Sequence, residues 1–540
     1  MPLKAPFTDV KIKTEEQGFY QGFNIPIALV SKFAISLLVV WAAVWPANAN
    51  DALSFMNAAA LEQFNTVYIY SVGFFTLFGF TLALIPRYGS RRLGKPDERP
   101  EFSTFSWFSM MFGAGLGVAL MVYATGEPLL QWGSNPETVL GNHEGYSAAA
   151  VTSAYRYTFL HNGFHAWSIY VVAAISMAYY SYTRDMPLTL RSALTPILGE
   201  RTNGVLGHSV DILGMVATIL GVAVTIGYGI NQLVDGAYSI TGIDWLVQPG
   251  SSQTTLPLPS TEGLLMGLVL IMAMSILSAV SGVGRGVKYL SNLNMVLSVV
   301  LLLTFVFFGS FAYAMEIYAT NMLDYLQNFL TLSFTAYDTS TEVGQWQQTW
   351  TTFYWAWWIA FAPFVGLFLA RISRGRTIRE FVLGAVIAPA LVCFAWMTIL
   401  GGTAIDLEMS GVAQGDIINA STTSSLFVTL QTMFGDTMQF AMTVLCVVLI
   451  LTFLVTSADS GVLVLNTIMA GGNIDTGIPH RIIWGIILTL VIATLLIAGG
   501  GGLGALQNAM ILGALPFTVV MVLMCLSLVK ALVRDHLRSM

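Results

Sequence analysis

Twelve stretches of the chain are apolar along most of their length: 26–46, 65–86, 105–123, 157–180, 208–233, 262–281, 289–314, 347–370, 381–404, 440–464, 482–498 and 508–531. A hydrocarbon core of about 30 Å takes roughly 20 apolar residues in helical form. Inside lipid, a backbone that cannot reach water must satisfy its own polar groups, which leaves helices as the spanning element. The pattern therefore predicts an all-α polytopic membrane protein with twelve transmembrane helices. An even count puts both termini on one side.

The polar stretches divide these spans into units. Residues 1–25 form a polar N-terminal tail, and 26–104 hold two peripheral spans with the loop after them. Five spans follow in 105–314, then an acidic, amphipathic stretch at 315–346, then five more spans in 347–532 and a short tail at 533–540. An odd number of spans per unit forces the two units into opposite orientations, giving a LeuT-like 5+5 inverted repeat of helices 3–7 and 8–12. In such repeats the first helix of each unit is broken near the midplane and the break lines the binding site. Here those helices are FGAGLGVALMVYATGEP (112–128) and the Trp-rich span 347–370, the latter with Pro363 and Gly366 as its expected interruption. The Glu127-Pro128 pair is expected to end the former on the outer side.

Charge tests this topology. Only 10% of the 540 residues are charged and 55% are hydrophobic, a composition no water-soluble fold could cover. Of the 23 Lys and Arg, all but Arg156 fall on the side of the termini. That asymmetry is the positive-inside pattern and predicts cytoplasmic termini. The net charge of -6 gives no reason to expect a nucleic-acid partner. Cys393, Cys446 and Cys525 each lie in an apolar run, without metal spacing or a disulfide framework. The polar N-terminus lacks the apolar core of a cleaved signal. The stretch at 315–346 reads either as a helix along the membrane surface or as an ordinary long loop.

Candidate chemistry lies in three places. The Trp-rich span carries Trp350, Trp355, Trp357 and Trp358, with Trp346 just before it. Lipid-facing Trp belongs mainly in the interfacial belts, so this density points to a lining. Aromatic faces attract cations that cannot donate hydrogen bonds, such as quaternary ammonium or sulfonium groups. In the fourth span His161, Asn162, His165, Trp167 and Tyr170 lie within three turns; Trp167 and Tyr170 share a helix face and, with Trp358, could wall a methylated cation. The plain alternative is core packing, with the histidines serving as hydrogen-bonded structural residues. Gly113, Gly115 and Gly117 form G-x-G-x-G, read either as close helix packing or as an unwound segment offering amides to an anion and carbonyls to a cation. In the tenth span Thr456, Ser457, Asp459 and Ser460 form a polar knot in apolar surroundings. Its hydroxyls either bind a hard monovalent cation or bond back to their own helix.

Taken together, FYWAWW with the following PFVG and FLARISRGR, the GAGLG…EP stretch and the TSADSG knot resemble the betaine/carnitine/choline transporter family over residues 105–470. The resemblance implies a twelve-helix inverted-repeat carrier working as a sodium-coupled symporter or an exchanger, commonly a homotrimer packed through the surface helix. It implies a substrate box of Trp167, Tyr170 and Trp358, with Trp357 and Phe361 beside it and Phe364 and Phe368 along the route. Gly115, Gly117 and Ala119 would face the substrate's anionic end. One sodium ion would lie among Gly113, Leu116, Phe453, Thr456 and Ser457. Three departures stand out: Asn162 replaces a tryptophan common in betaine carriers, Ala119 replaces the last glycine, and Val222 replaces a hydroxyl of a second sodium site that would use Thr218. The expected activity is sodium-coupled uptake of glycine betaine or dimethylsulfoniopropionate, with sodium-independent exchange of carnitine- or choline-type compounds as the alternative. No cofactor beyond the coupling ion is expected. An enzyme is excluded by the lack of nucleophile–base, metal-cluster or nucleotide-loop motifs. A channel is disfavoured because the aromatic spans offer no continuous polar file.

Overall fold

The computed structural model describes residues 5–115, 117–250, 254–281 and 286–539. It is helical throughout, and among the described residues the only β pairings are three isolated bridges. Fifteen helices carry the architecture: α1 (Ile25–Val44), α2 (Pro46–Leu84), α3 (Thr104–Gly115), α4 (Val118–Gly133), α5 (Ala150–Asn162), α6 (Phe164–Thr183), α7 (Val205–Thr241), α8 (Thr261–Ser281), α9 (Gly286–Phe308), α10 (Phe311–Gln327), α11 (Phe353–Ile372), α12 (Ile378–Met409), α13 (Asp436–Met469), α14 (Ile478–Ala498) and α15 (Gly504–Ser539).

Ten helices among the described residues are long and apolar enough to cross a membrane. The two expected spans outside that set, 105–123 and 157–180, are both interrupted. The first is split between α3 and α4, where Gly117 adopts extended backbone. Glycine side chains offer nothing to hold a helical turn, so a glycine-rich run is where a helix opens at least cost. The second is split at Gly163 between α5 and α6. A Cβ at Gly163 would collide with the Phe394 ring and the Phe159 carbonyl. The polar stretch after 46 is not a loop: α2 starts at Pro46, whose missing N–H costs nothing in a first helical turn.

Two expectations need correcting. The helix does not end at Glu127-Pro128; α4 runs through Pro128 to Gly133. The Trp-rich helix is not broken at Pro363 or Gly366 either. Helix α11 is continuous through both, and Gly366 seats against Ala173 and Met177 of α6. A proline removes one donor, and packing against a neighbour compensates for it. The backbone irregularity comes earlier, as a π-turn at Gln348–Thr352.

The lipid-type surface is borne by α1, α8 and α9, where Phe33, Leu37, Val269, Val296 and Phe307 are exposed. Helix α11 lies at the centre, packed on α6, α7 and α15. Loops segregate by side. On the face of the termini, Asn203 reaches the Asp9 carbonyl, Arg92 that of Gly375, Arg371 that of Gly472, and Arg184 pairs with Asp535. On the opposite face Arg156 pairs with Glu137 and Asp324, tying α5 to α10.

Candidate functional site

Three aromatic side chains expected to share a site do meet. Trp167 and Tyr170 stand on one face of α6, their ring centroids 5.8 Å apart and nearly perpendicular. Trp358 of α11 closes the set, 6.0 Å from Trp167 and 5.0 Å from Tyr170. A cation resting over this triangle would lie within about 6 Å of all three centroids, the range of effective cation–π attraction. Each wall would contribute roughly 0.5–2 kcal/mol.

Below the box, α11 shows a periodic face. Trp358, Phe361, Phe364 and Phe368 are half-buried, whereas the residues between them are buried. Spacings of three and four put these rings on one stripe, which leads from the box toward the face of the termini. Above the box the same helix is closed off: Phe353, Tyr354 and Trp355 are buried. Trp357 points elsewhere. Its indole donates to Thr225 Oγ1 at 2.9 Å and stacks on Tyr228 at 5.5 Å, with Tyr123 at 6.0 Å. It joins an aromatic cluster with Tyr123 of α4 and Tyr228 of α7 and, among the described residues, makes no ring contact with the box.

This cluster rests on a buried carboxylate that sequence reasoning placed at a helix end. Glu127 is fully buried, and three donors converge on it. His161 Nδ1 lies 2.7 Å from Oε1; Asn162 Nδ2 donates to Oε2 at 2.6 Å and the Tyr354 hydroxyl to the same oxygen at 2.7 Å. On its other side, His161 Nε2 lies 2.9 Å from Thr351 Oγ1. The π-turn makes this possible by directing Thr351 at His161 and Thr352 at Asn65 of α2. A buried polar group left without partners costs about 1–3 kcal/mol; here three side chains supply them. Asn162 also donates to the Thr158 carbonyl, so its amide nitrogen is committed away from the box. His165 bridges Tyr325 and Ser333 as a structural tie.

The ion-site residues are more scattered in what they show. Thr456 Oγ1 lies 3.0 Å from the carbonyl oxygens of Thr452 and Phe453, the back-bonded arrangement of a membrane hydroxyl. Ser457 is half-buried on the same helix. Thr218 donates to the Gly214 carbonyl at 2.7 Å, and Val222 packs against Gly461. Asp459 accepts from Ser278 at 2.9 Å. Gly113 and Gly115 sit in the last turn of α3, with Gly117 and Ala119 at the start of α4. Leu116 lies outside the described residues.

Comparison with known proteins decides the family. The betaine/carnitine/choline family transporter profile matches residues 26–537. The chain belongs to this family. It is 38% identical over 516 residues to a glycine betaine/proline/choline/ectoine transporter of Vibrio parahaemolyticus, covering 94% of this chain and 86% of that one. It is 37% identical over 500 residues to the glycine betaine transporter OpuD of Bacillus subtilis, covering 92% of each. Identity is 35% over 517 residues to glycine betaine transporter 1 of Vibrio parahaemolyticus, covering 95% and 94%.

As a member of the betaine/carnitine/choline family the chain is a transporter and not an enzyme. Trp167, Tyr170 and Trp358 come together; Trp357 and Asn162 turn to the Tyr123–Tyr228 cluster and to Glu127. Reading along the sequence missed Glu127 as a hub. Its signal was there: an acid at span depth marks function or a buried partner, but the adjacent proline looked like a terminator.

Proposed function

We propose that this protein carries a methylated onium zwitterion, glycine betaine or dimethylsulfoniopropionate, across the bacterial inner membrane by alternating access. The observation that carries this reading is the mutual contact of Trp167, Tyr170 and Trp358 deep between α6 and α11. Ring faces hold a permanent cation that offers no hydrogen bond, and the half-buried stripe from Trp358 to Phe368 supplies a route on one side. The names of the relatives agree with such a substrate. The amides at the opening between α3 and α4 suit its carboxylate.

The frame of the proposal is twelve spans in a 5+5 inverted repeat, with cytoplasmic termini. Matched packing supports it. Helix α6 packs on α11 as α12 packs on α4, and α7 packs on α15 as α13 packs on α9. Exposed Leu323, Leu326 and Leu330 on and after α10 suit a homotrimer contact through that segment. Sodium is the proposed coupling ion, held by Phe453, Thr456 and Ser457 with the α3 end. A second reading, sodium-independent exchange, is favoured by one observation: the Thr456 hydroxyl is already satisfied within its own helix. Uptake of labelled glycine betaine into proteoliposomes, with and without an inward sodium gradient, tests both. Accumulation only with the gradient supports symport. Gradient-independent uptake that needs preloaded substrate supports exchange, and no uptake of any onium compound defeats the proposal.

A further inference from the structure

A second site lies on the face of the termini, remote from the box. The end of α6, the turn after Leu198, the N-terminal residues 5–7 and the last turns of α15 line a partly open cavity of about 200 Å³. One water needs only ~10–15 Å³ of such space, so the cavity admits a polyatomic ligand. Its lining includes Arg184, Lys530, Arg534 and Arg538, and no carboxylate. Asp535 lies behind, bonded to Arg184 and Arg538, one acid against four cations.

The site is built rather than incidental. The Arg184 side chain is only 9% exposed, with its guanidinium 4.2 Å from the Tyr180 ring. Nη1 donates to Thr183 and Nη2 to Asp535, while the buried Nε has no partner. The side chains of Lys530 and Arg534 make no hydrogen bond or ion pair among the described residues. The Tyr180 hydroxyl donates to the Phe7 carbonyl at 2.9 Å and so fixes the wall that residues 5–7 provide. The C-terminal end of the helix Leu190–Leu198 also faces the cavity, but its dipole is equivalent to only about half a negative charge. The cations win.

We infer that this cavity binds a phosphate-bearing anion. Two unpaired cations and a half-committed guanidinium match the several acceptor oxygens of one phosphate. Basic pockets between membrane helices are where anionic phospholipid head groups lodge, and a soluble phosphate ester presents the same chemistry. Occupancy would join the N-terminal segment to the last helix.

The test measures thermal unfolding of the intact protein in nanodiscs of phosphatidylcholine or phosphatidylglycerol, and in phosphatidylcholine with added glycerol 1-phosphate. The wild type is compared with a Lys530→Gln/Arg534→Gln variant, and with Lys13→Gln/Arg87→Gln, which removes the same charge from residues outside the cavity lining. The expected result is a higher midpoint with phosphatidylglycerol, mostly lost in the first variant and kept in the second. A rise with glycerol 1-phosphate, lost in the same way, assigns the site to a soluble ester. No rise with either ligand, a rise kept in the first variant, or an equal loss in both variants overturns the proposal.

Discussion

Replacing Glu127 separates two ways a buried acid can matter. Glu127→Ala leaves His161 Nδ1 and the Tyr354 hydroxyl without acceptors and removes one of two from Asn162. Each hydrogen bond to a charged group is worth about 1.5–3 kcal/mol net, but removing the ion also relieves its desolvation. The expected loss is roughly 2–6 kcal/mol, about 1–3 for each of the two buried groups left without a partner. Glu127→Gln should behave differently. Its amide oxygen can take the place of Oε2, still accepting from Asn162 and Tyr354. Its amide nitrogen then faces His161, which takes the tautomer that accepts at Nδ1 and donates from Nε2 to Thr351. The exchange costs about 0.5–1.5 kcal/mol. Equilibrium unfolding of the purified variants should rank wild type, Gln and, well below, Ala. An Ala variant within about 1 kcal/mol of wild type, or a Gln variant as damaged as Ala, would refute the account of Glu127 as a hydrogen-bond hub.

Further outcomes follow from the same geometry. Trp358→Ala should weaken glycine betaine binding about tenfold or more, since a cation–π wall and its apolar contact are both lost; titration calorimetry checks this. Trp167→Leu, chosen because Trp167 is fully buried, should do the same while the protein remains folded. Thr456→Ala with Ser457→Ala should raise the sodium concentration for half-maximal uptake with little change in substrate affinity at saturating sodium; unchanged sodium dependence removes those residues from the ion site. Arg156→Gln should destabilise by about 1–3 kcal/mol and couple strongly to Asp324→Asn in a double-mutant cycle, whereas additivity would mean the pair contributes nothing. Gly163→Ala should lower stability by roughly 1–3 kcal/mol through overpacking against Phe394, read as a lower thermal midpoint.

Much of the architecture was legible because a membrane restricts the vocabulary. Apolar runs, the lysines and arginines between them, and the glycines at 113–117 each report local physics. The meeting of three rings was legible for a related reason: Trp167 and Tyr170 are one turn apart, and Trp358 sits in an unmistakable span. The break at Gly163 and the π-turn at Gln348–Thr352 left no such trace. Gly163 is dictated by Phe394, more than 200 residues away. Glu127 depends on Tyr354, at a separation of 227. Spacing along a chain carries no record of partners that distant. Pro363 misled for the opposite reason, since a local rule about prolines was overruled by the packing of Gly366 on α6.

The neighbouring indoles of α11 impose a last constraint. Successive residues of a helix diverge by about 100°, so Trp358 grips the box while Trp357 is moored to Thr225 and Tyr228 across the way. Any roll of that helix which swung the first ring aside would have to snap the second from its mooring. Parting Trp358 from Trp167 and Tyr170 and freeing Trp357 from Thr225 and Tyr228 are thus geared to one shaft, and neither can turn alone.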